Sequence, residues 1–264
     1  SNFIFSKMAA EKFSFDAALT LAQKEGFAEP DPSFDISGQD AAQKTSILAT
    51  LSFFQNSSME KVYFEGIDKI SPDDIDYGKQ LNFVLKPLSV GMQNKDQITL
   101  GSFPAFVKTD SLLASIQNEN NAVLVNAENV GGTMYSGPGA GAKPTANSVL
   151  SDVIDIARGK IFDYGKFVEQ NLSSSFDNFS CDRYLKLQVN DKPGVVAKIS
   201  TLLANNNLSI DNLIQKELER SDDQIPLVMV LSNSDETTIQ DTIKELEALD
   251  EVSGPLTHIR ILDI

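Results

Sequence analysis

The sequence predicts an α+β protein: a mixed open sheet with helices, followed by a smaller βαββαβ unit. Three observations carry this expectation. Up to about residue 160, helical and strand patterns follow one another without regular βαβ alternation. From residue 184 onward, strand and helix periodicities come in the order strand, helix, strand, strand, helix, strand. Between the two parts, residues 165–182 (GKFVEQNLSSSFDNFSCD) contain Ser173-Ser174-Ser175 and read as a linker. The predicted division is 1–176 and 177–264, and a chain of 264 residues can bury a substantial core in two ordinary domains.

Residues 2–8 (NFIFSKM) carry no preceding strand or cap, and no element is assigned there. Residues 14–25 have apolar side chains at helical spacing, with Ser14 as N-cap and Gly26 as stop. A stiff loop follows, because Pro30 and Pro32 each fix φ and bias the preceding residue away from helix. A mostly apolar helix then runs over about 41–54, opened by Asp40. Residues 62–66 (VYFEG) form a short strand. Ser71-Pro72-Asp73-Asp74 is an N-cap with Pro at the first position and acids in the first turn, and it starts a helix over 73–81. Residues 82–107 read as two strands with a turn near 93–96. A short helix at 112–116 and a strand at 121–128 come next.

Residues 130–145 (VGGTMYSGPGAGAKPT) form a glycine-rich loop before a helix over about 146–158. Glycines ahead of a helix N-terminus let backbone N–H groups approach an anion closely. The spacing is neither a Walker loop nor a dinucleotide fingerprint, so a tight structural turn is the alternative. The last unit has strands at 184–189, 210–217, 227–232 and 256–261. Its helices are at 195–205 and 237–248, the second with Asp235 or Glu236 near its start.

Composition excludes several partners. With 37 Asp and Glu against 22 Lys and Arg, the formal net charge is −15. That balance argues against nucleic-acid phosphate and against an anionic membrane surface. Apolar runs fall short of the roughly 20 residues that span a bilayer. The first residues do not look like a secretory signal. Cys181 is the single cysteine, so no internal disulfide and no thiolate metal site is expected, and a reducing cytoplasm fits. His258 is the single histidine and is expected to be structural or at the surface.

The stretch that concentrates chemistry is 22–44, AQKEGFAEPDPSFDISGQDAAQK. Asp40 and Lys44 are i and i+4 on one helix, so they share a face. Glu29 and Asp35 sit on the loop that feeds it. The arrangement can place carboxylates and an ammonium around one small polar ligand. It can equally be an acidic loop, an N-cap Asp and a solvated ion pair.

The run Ala22, Gly26, Phe27, Ala28, Asp31, Pro32, Asp35, Ile36, Gly38, Asp40 and Lys44 resembles the signature segment of homoserine dehydrogenases, without a departure. The segment GPGAG–PTA, with a following helix ending DIAR, is similar to the same family. Ser1 and Asn2 resemble the end of a family segment that follows the dinucleotide-binding domain. The resemblance implies that this nucleotide-binding half is missing here, consistent with the absence of a G-x-G-x-x-G motif after a strand. It implies NAD(P)-dependent interconversion of L-aspartate 4-semialdehyde and L-homoserine, in threonine, methionine and isoleucine biosynthesis. Carried over, Lys44 is the proton donor for carbonyl reduction, assisted by Asp40. Glu29, Asp35 and Asp40 hold the substrate's polar groups. Gly137, Gly139, Ala140 and Gly141 border the nicotinamide half of NAD(P), which is bound mainly by the missing half. The cation site of the family also belongs there, so no metal is assigned.

Residues 184–264 resemble an ACT domain, the small ferredoxin-like module that binds amino acids, on the turn DKPGV, the helix VVAKISTLLANNNLSI and the strand DNLIQKE. The resemblance implies a regulatory or oligomerising role, with threonine as the family's usual effector and Asp191, Gly194 and Val195 as its candidate edge. A homodimer or homotetramer is expected, by sheet-edge pairing. This polypeptide alone is expected to be inactive. The competing expectation is a stand-alone amino-acid-binding regulatory or oligomerisation protein.

Overall fold

The computed structural model describes residues 1–54, 57–94, 97–160, 173–215 and 224–264. In chain order the elements are helices α1 (Asn2–Glu11), α2 (Phe15–Lys24), α3 (Ser33–Ile36) and α4 (Gln39–Phe53), then strand β1 (Tyr63–Phe64) and helix α5 (Pro72–Gln80). Strands β2 (Phe83–Asn94), β3 (Gln97–Lys108), β4 (Asn120–Ala127) and β5 (Gly131–Pro138) lead to helix α6 (Ala142–Ala157). Strand β6 (Ser173–Ser174) precedes β7 (Ser180–Asn190), α7 (Val195–Asn205), β8 (Ile210–Gln215), β9 (Gln224–Asp235), α8 (Glu236–Glu247) and β10 (Val252–Leu262). The expected fold class holds: a mixed sheet with helices, then a ferredoxin-like βαββαβ unit.

That unit has strand order β10-β7-β9-β8, all antiparallel. It is not a separate sheet. β10 pairs in parallel with β3 through Arg260–Ala105, Ile261–Phe106 and Leu262–Val107. One edge of β3 is filled by β2 along its length. The other edge is shared end to end by β6, β1 and β10. The Ser173–Ser175 stretch is therefore no free linker. Ser173 and Ser174 pair with Gln97 and Ile98, and the following Phe176 and Phe179 are buried against Phe103. Aromatic burial outweighs the loop propensity of serine there. The part of the expected linker at 165–172, the turn residues 95–96 and the end of the 210–217 strand lie outside the described residues.

Both faces of the small unit's sheet are covered. Leu185, Leu187, Leu227, Met229 and Leu231 pack under α7 and α8. Tyr184, Val228, Val230, Ile259 and Ile261 join a core with Phe3, Phe5, Met8, Ala18, Ile75 and Phe106 from α1, α2, α5 and β3. This two-sided burial is why β9 reads as a continuous apolar run, LVMVL, instead of an alternating one.

Capping followed the sequence closely. Ser14 accepts from the Ala17 N–H, and Gly26 takes φ +77° just past α2. Ser71 and Asp74 form a capping box on α5. The buried Asp74 then also meets Lys186 Nζ at 2.6 Å and accepts from Tyr184 OH at 3.1 Å, tying α5 to β7. Asp235 caps α8 through the Thr238 N–H.

Four expectations need correction. Residues 2–8 are helical, because Phe3, Ile4, Phe5 and Met8 find a buried face that no local cap signals. Asp40 is not the cap of α4. Gly38 is, in the left-handed region at φ +86°, and α4 starts at Gln39. The loop between Pro32 and Gly38 contains the short helix α3. The first half of the glycine-rich loop is a strand: Gly131 at φ +76° turns the chain and residues 131–138 pair with β4, so α6 begins at Ala142 rather than 146. The β-prone Thr133 and Tyr135 carry that strand through its glycines.

Candidate active site

The acidic stretch is held from below. Gln23 Nε2, at the end of α2, donates to the carbonyls of Glu29 and Pro30, both at 3.1 Å. Asp31 Oδ1 accepts from the Ser33 N–H at 3.1 Å, a bond that lowers its pKa and opens α3. α3 delivers Asp35, and α4 delivers Asp40 and Lys44. Lys44 Nζ donates to Asp40 Oδ2 at 2.5 Å, with the lysine side chain 67% exposed.

The turn between α3 and α4 rests on the segment after β1. A Cβ at Gly38 would lie 2.5 Å from the Glu65 carbonyl oxygen, so only glycine fits there. The Ile67 N–H donates to the Ile36 carbonyl at 2.9 Å, and the Glu65 N–H to the Ser102 carbonyl at 2.9 Å. Beside this seam lies a cavity of about 60 Å³. Asp35, Gly38, Glu65, Ser89, Ser102 and Phe103 are among the residues that line it. Ser1 lines it as well. Asp35 and the α4 residue Ala41 line the cavity, whereas Asp40 and Lys44, paired on α4, are not among its lining residues. Glu29 is exposed and does not line the cavity.

The glycine loop is elsewhere. Gly137 lines a separate hollow with Ser115, Ile116, Gln117, Asn120 and Ser136. Gly139 packs against Asn121, whose side chain a Cβ would overlap, and Gly141 at φ +117° opens α6 without a side-chain cap. Asn2 connects the two regions, its Nδ2 donating to the carbonyls of Asn118 and Asn120 at 3.1 Å. Nearby, Lys86 donates to the Ile116 carbonyl, and burial brings its pKa down to about 8.

Sequence reasoning missed Glu65, which follows β1, and Ser89 and Ser102 on β2 and β3; none of them carries a motif. It also missed a buried ion cluster behind the cavity. Glu236 Oε2 accepts from Arg183 Nη1 at 2.9 Å and from Arg260 Nε at 3.1 Å, and Glu236 Oε1 accepts from Arg260 Nη2 at 2.6 Å. Burial penalises the Glu236 carboxylate, but the two guanidiniums and the Gln240 hydrogen bond prevail and set its pKa to about 2. Arg260 also lies over the rings of Phe103 and Tyr63, at 4.4 and 4.9 Å. His258 is structural, held well below its ordinary pKa by burial and then by Arg260 and Arg183. Among the described residues no helix is long and apolar enough to cross a membrane, and no cluster of His, Cys, Asp and Glu could hold a metal.

The homoserine dehydrogenase family model matches residues 1–154, and the ACT domain model matches 183–251. Homoserine dehydrogenases of Pseudomonas aeruginosa and Helicobacter pylori are each 37% identical, over 98% and 99% of this chain. The crystal structure of a homoserine dehydrogenase from Thiobacillus denitrificans superposes with a TM-score of 0.87 at 34% identity over 99% of the chain. The chain spans 62% of the length of each of these three. With a family match over more than half its length, the chain belongs to the homoserine dehydrogenase family.

Proposed function

We propose that residues 1–176 form the substrate-binding and proton-transfer part of an NAD(P)-dependent homoserine dehydrogenase, and residues 177–264 its ACT regulatory unit. The observation that carries this is that Asp35, Gly38 and Ala41 line the cavity and that α4, which follows Gly38, carries the Asp40–Lys44 pair. L-Homoserine offers an ammonium, a carboxylate and a hydroxyl. Carboxylates attract the ammonium in a partly desolvated site. Asp35 and Asp40 meet that need, and Glu29, exposed on the loop before α3, is a further candidate contact to the substrate's polar groups. Lys44 exchanges the proton at the substrate oxygen: its amine accepts it as homoserine is oxidised, and its ammonium returns it when L-aspartate 4-semialdehyde is reduced. Asp40 fixes the direction of Nζ through the 2.5 Å contact.

The nicotinamide cofactor supplies hydride chemistry when bound. The loop fits one wall of such a site. Gly137 has nothing within 4 Å of an added Cβ, and the uncapped first N–H groups of α6 follow Gly141. Gly139 and Ala140 complete that wall. The loop offers no enclosure for a whole dinucleotide, in keeping with binding mainly by a nucleotide-binding half outside this chain. We therefore expect this polypeptide alone to be inactive.

In the ACT unit, Gly194 at φ +95° starts α7, Asp191 is exposed before it and Val195 is buried behind it. That turn is the proposed edge for an amino-acid effector such as threonine. Assembly as a homodimer or homotetramer, cytoplasmic location and a place in threonine and methionine synthesis belong to the same proposal. The test is homoserine oxidation with NAD and with NADP by the polypeptide extended to carry the nucleotide-binding half, with and without threonine. Oxidation that threonine suppresses is the expected result. A folded protein without activity on either cofactor would leave an amino-acid-binding regulatory protein as the better account.

A further inference from the structure

We infer that Arg260 is a positioning residue for the Asp35–Asp40–Lys44 site, acting through Glu65 and the turn that Glu65 supports. The inference rests on the proposed function for the identity of the reaction, but its structural content stands on contacts that involve no ligand.

The chain of contacts starts in the last strand. β10 and β1 lie one after the other along the same edge of β3, at Ala105–Val107 and at Gly101–Ser102. Arg260 extends along that edge. Its Nη2 donates to Glu65 Oε1 and to Tyr63 OH, both at 3.0 Å, and Tyr63 OH donates to the same Oε1. The guanidinium is fully buried, and the same Nη2, together with Nε, also faces Glu236. It therefore clamps the segment after β1 to the ACT unit. The planar guanidinium holds Glu236 through two nitrogens while Nη2 also reaches Glu65 and Tyr63, a span that a lysine ammonium would not reproduce.

Glu65 is in turn the seat of the catalytic turn. Its carbonyl lies where any Cβ at Gly38 would sit. Two residues on, the Ile67 N–H holds the Ile36 carbonyl. A Cβ at Gly66 would come within 2.9 Å of that same carbonyl, so the two segments are in close backbone contact. Asp35 precedes this seam, and the Gly38 carbonyl, which receives the Ala42 N–H at 2.9 Å, begins the helix that carries Asp40 and Lys44. A shift of Glu65 has no slack to absorb it, because backbone meets backbone. The C-terminal unit thereby sets the register of the carboxylates and the lysine. Displacements of about 1 Å in such groups are enough to lower turnover strongly.

The test compares four substitutions. Arg260→Lys keeps the charge and loses the fork. Tyr63→Phe keeps the ring over which Arg260 lies and removes one of the two donors to Oε1. Glu65→Gln weakens the receiving end. Arg183→Lys disturbs the same Glu236 but does not reach Glu65, and serves as the control for simple loss of packing. The first measurement is amide hydrogen exchange of Ile67 and Ala42 in this chain. Expected is exchange faster by about tenfold in the first three variants and unchanged in the control. Unchanged exchange at Ile67 in both Arg260→Lys and Tyr63→Phe, or an equal rise with Arg183→Lys, overturns the inference. The second measurement is turnover of homoserine by the polypeptide with its nucleotide-binding half. Expected is a kcat lower by about tenfold with KM little changed, and no additional loss when Arg260→Lys is added to Glu65→Gln. Fully additive losses overturn it. If the parent oxidises no homoserine, the proposed function falls, and the exchange at Ile67 still decides the positioning role.

Discussion

Two ion pairs of nearly equal length stand a short way apart in this fold. Asp40 and Lys44 meet at 2.5 Å on the outside of α4, with the lysine 67% exposed. Glu236 and Arg260 meet at 2.6 Å with the arginine wholly buried. The first is cheap to open, because water replaces each partner; exposed pairs of this kind contribute about 0–1 kcal/mol. The second cannot open without leaving a charge in an apolar layer, between Phe103, Tyr63 and Phe176. Distance is thus a poor guide to role. The exposed pair is available to a ligand, and the buried one to the architecture.

The comparison breaks most visibly at Lys44. In the polypeptide with its nucleotide-binding half, Lys44→Ala is expected to lower homoserine turnover by about 10³-fold or more. Its unfolding free energy should change by under about 1 kcal/mol. Near-normal kcat would remove Lys44 from the proton step. Glu236→Gln should behave in the opposite way. It leaves two buried guanidiniums short of a counter-charge and is expected to cost about 3–5 kcal/mol in urea unfolding at pH 7. A loss below about 1 kcal/mol would show that water reaches the cluster.

A pH series sharpens the contrast. The Glu236 pKa, about 2 in the folded chain, is depressed below its ordinary 4.5. Its contribution to stability is therefore present above pH 4.5 and lost as pH falls towards 2. The gap between parent and Glu236→Gln should close over that window, and a gap constant down to pH 2 would contradict the assignment. The smallest expected effect is at a cap that touches neither pair. Ser14→Ala, which removes one exposed acceptor from the Ala17 N–H, should cost about 0.5–1 kcal/mol by thermal melting.

Local chemistry was legible in the sequence. The Ser14, Ser71 and Asp235 caps, the stop at Gly26, and the βαββαβ order all depend on neighbours within a few residues. The Asp35, Asp40 and Lys44 candidates were legible because they lie within one short stretch. Elements whose cause is distant were not. Nothing local marks 2–11 as a helix, since Phe3 and Phe5 are held by β-strands and helices far along the chain. Nothing separates Ser173-Ser174-Ser175 from a linker until β3 offers it an unpaired edge. The β5 strand was hidden inside a glycine pattern that only pairing with β4 resolves.

By itself, then, the sequence determined most helices and strands other than α1, α3, β5 and β6, where most of those helices start, and which carboxylates and which lysine share one short stretch. Those properties follow from backbone dihedrals, capping hydrogen bonds and residue spacing, all of short range. Only the tertiary structure decided that the small unit's sheet joins the larger one through β3 and β10, that Arg183, Arg260 and Glu236 are buried together, and that Glu65 supports Gly38. A buried charge is tolerated only where its partner arrives, and Arg260 and Glu65, 195 residues apart in the chain, are brought together because β10 and β1 both pair with β3.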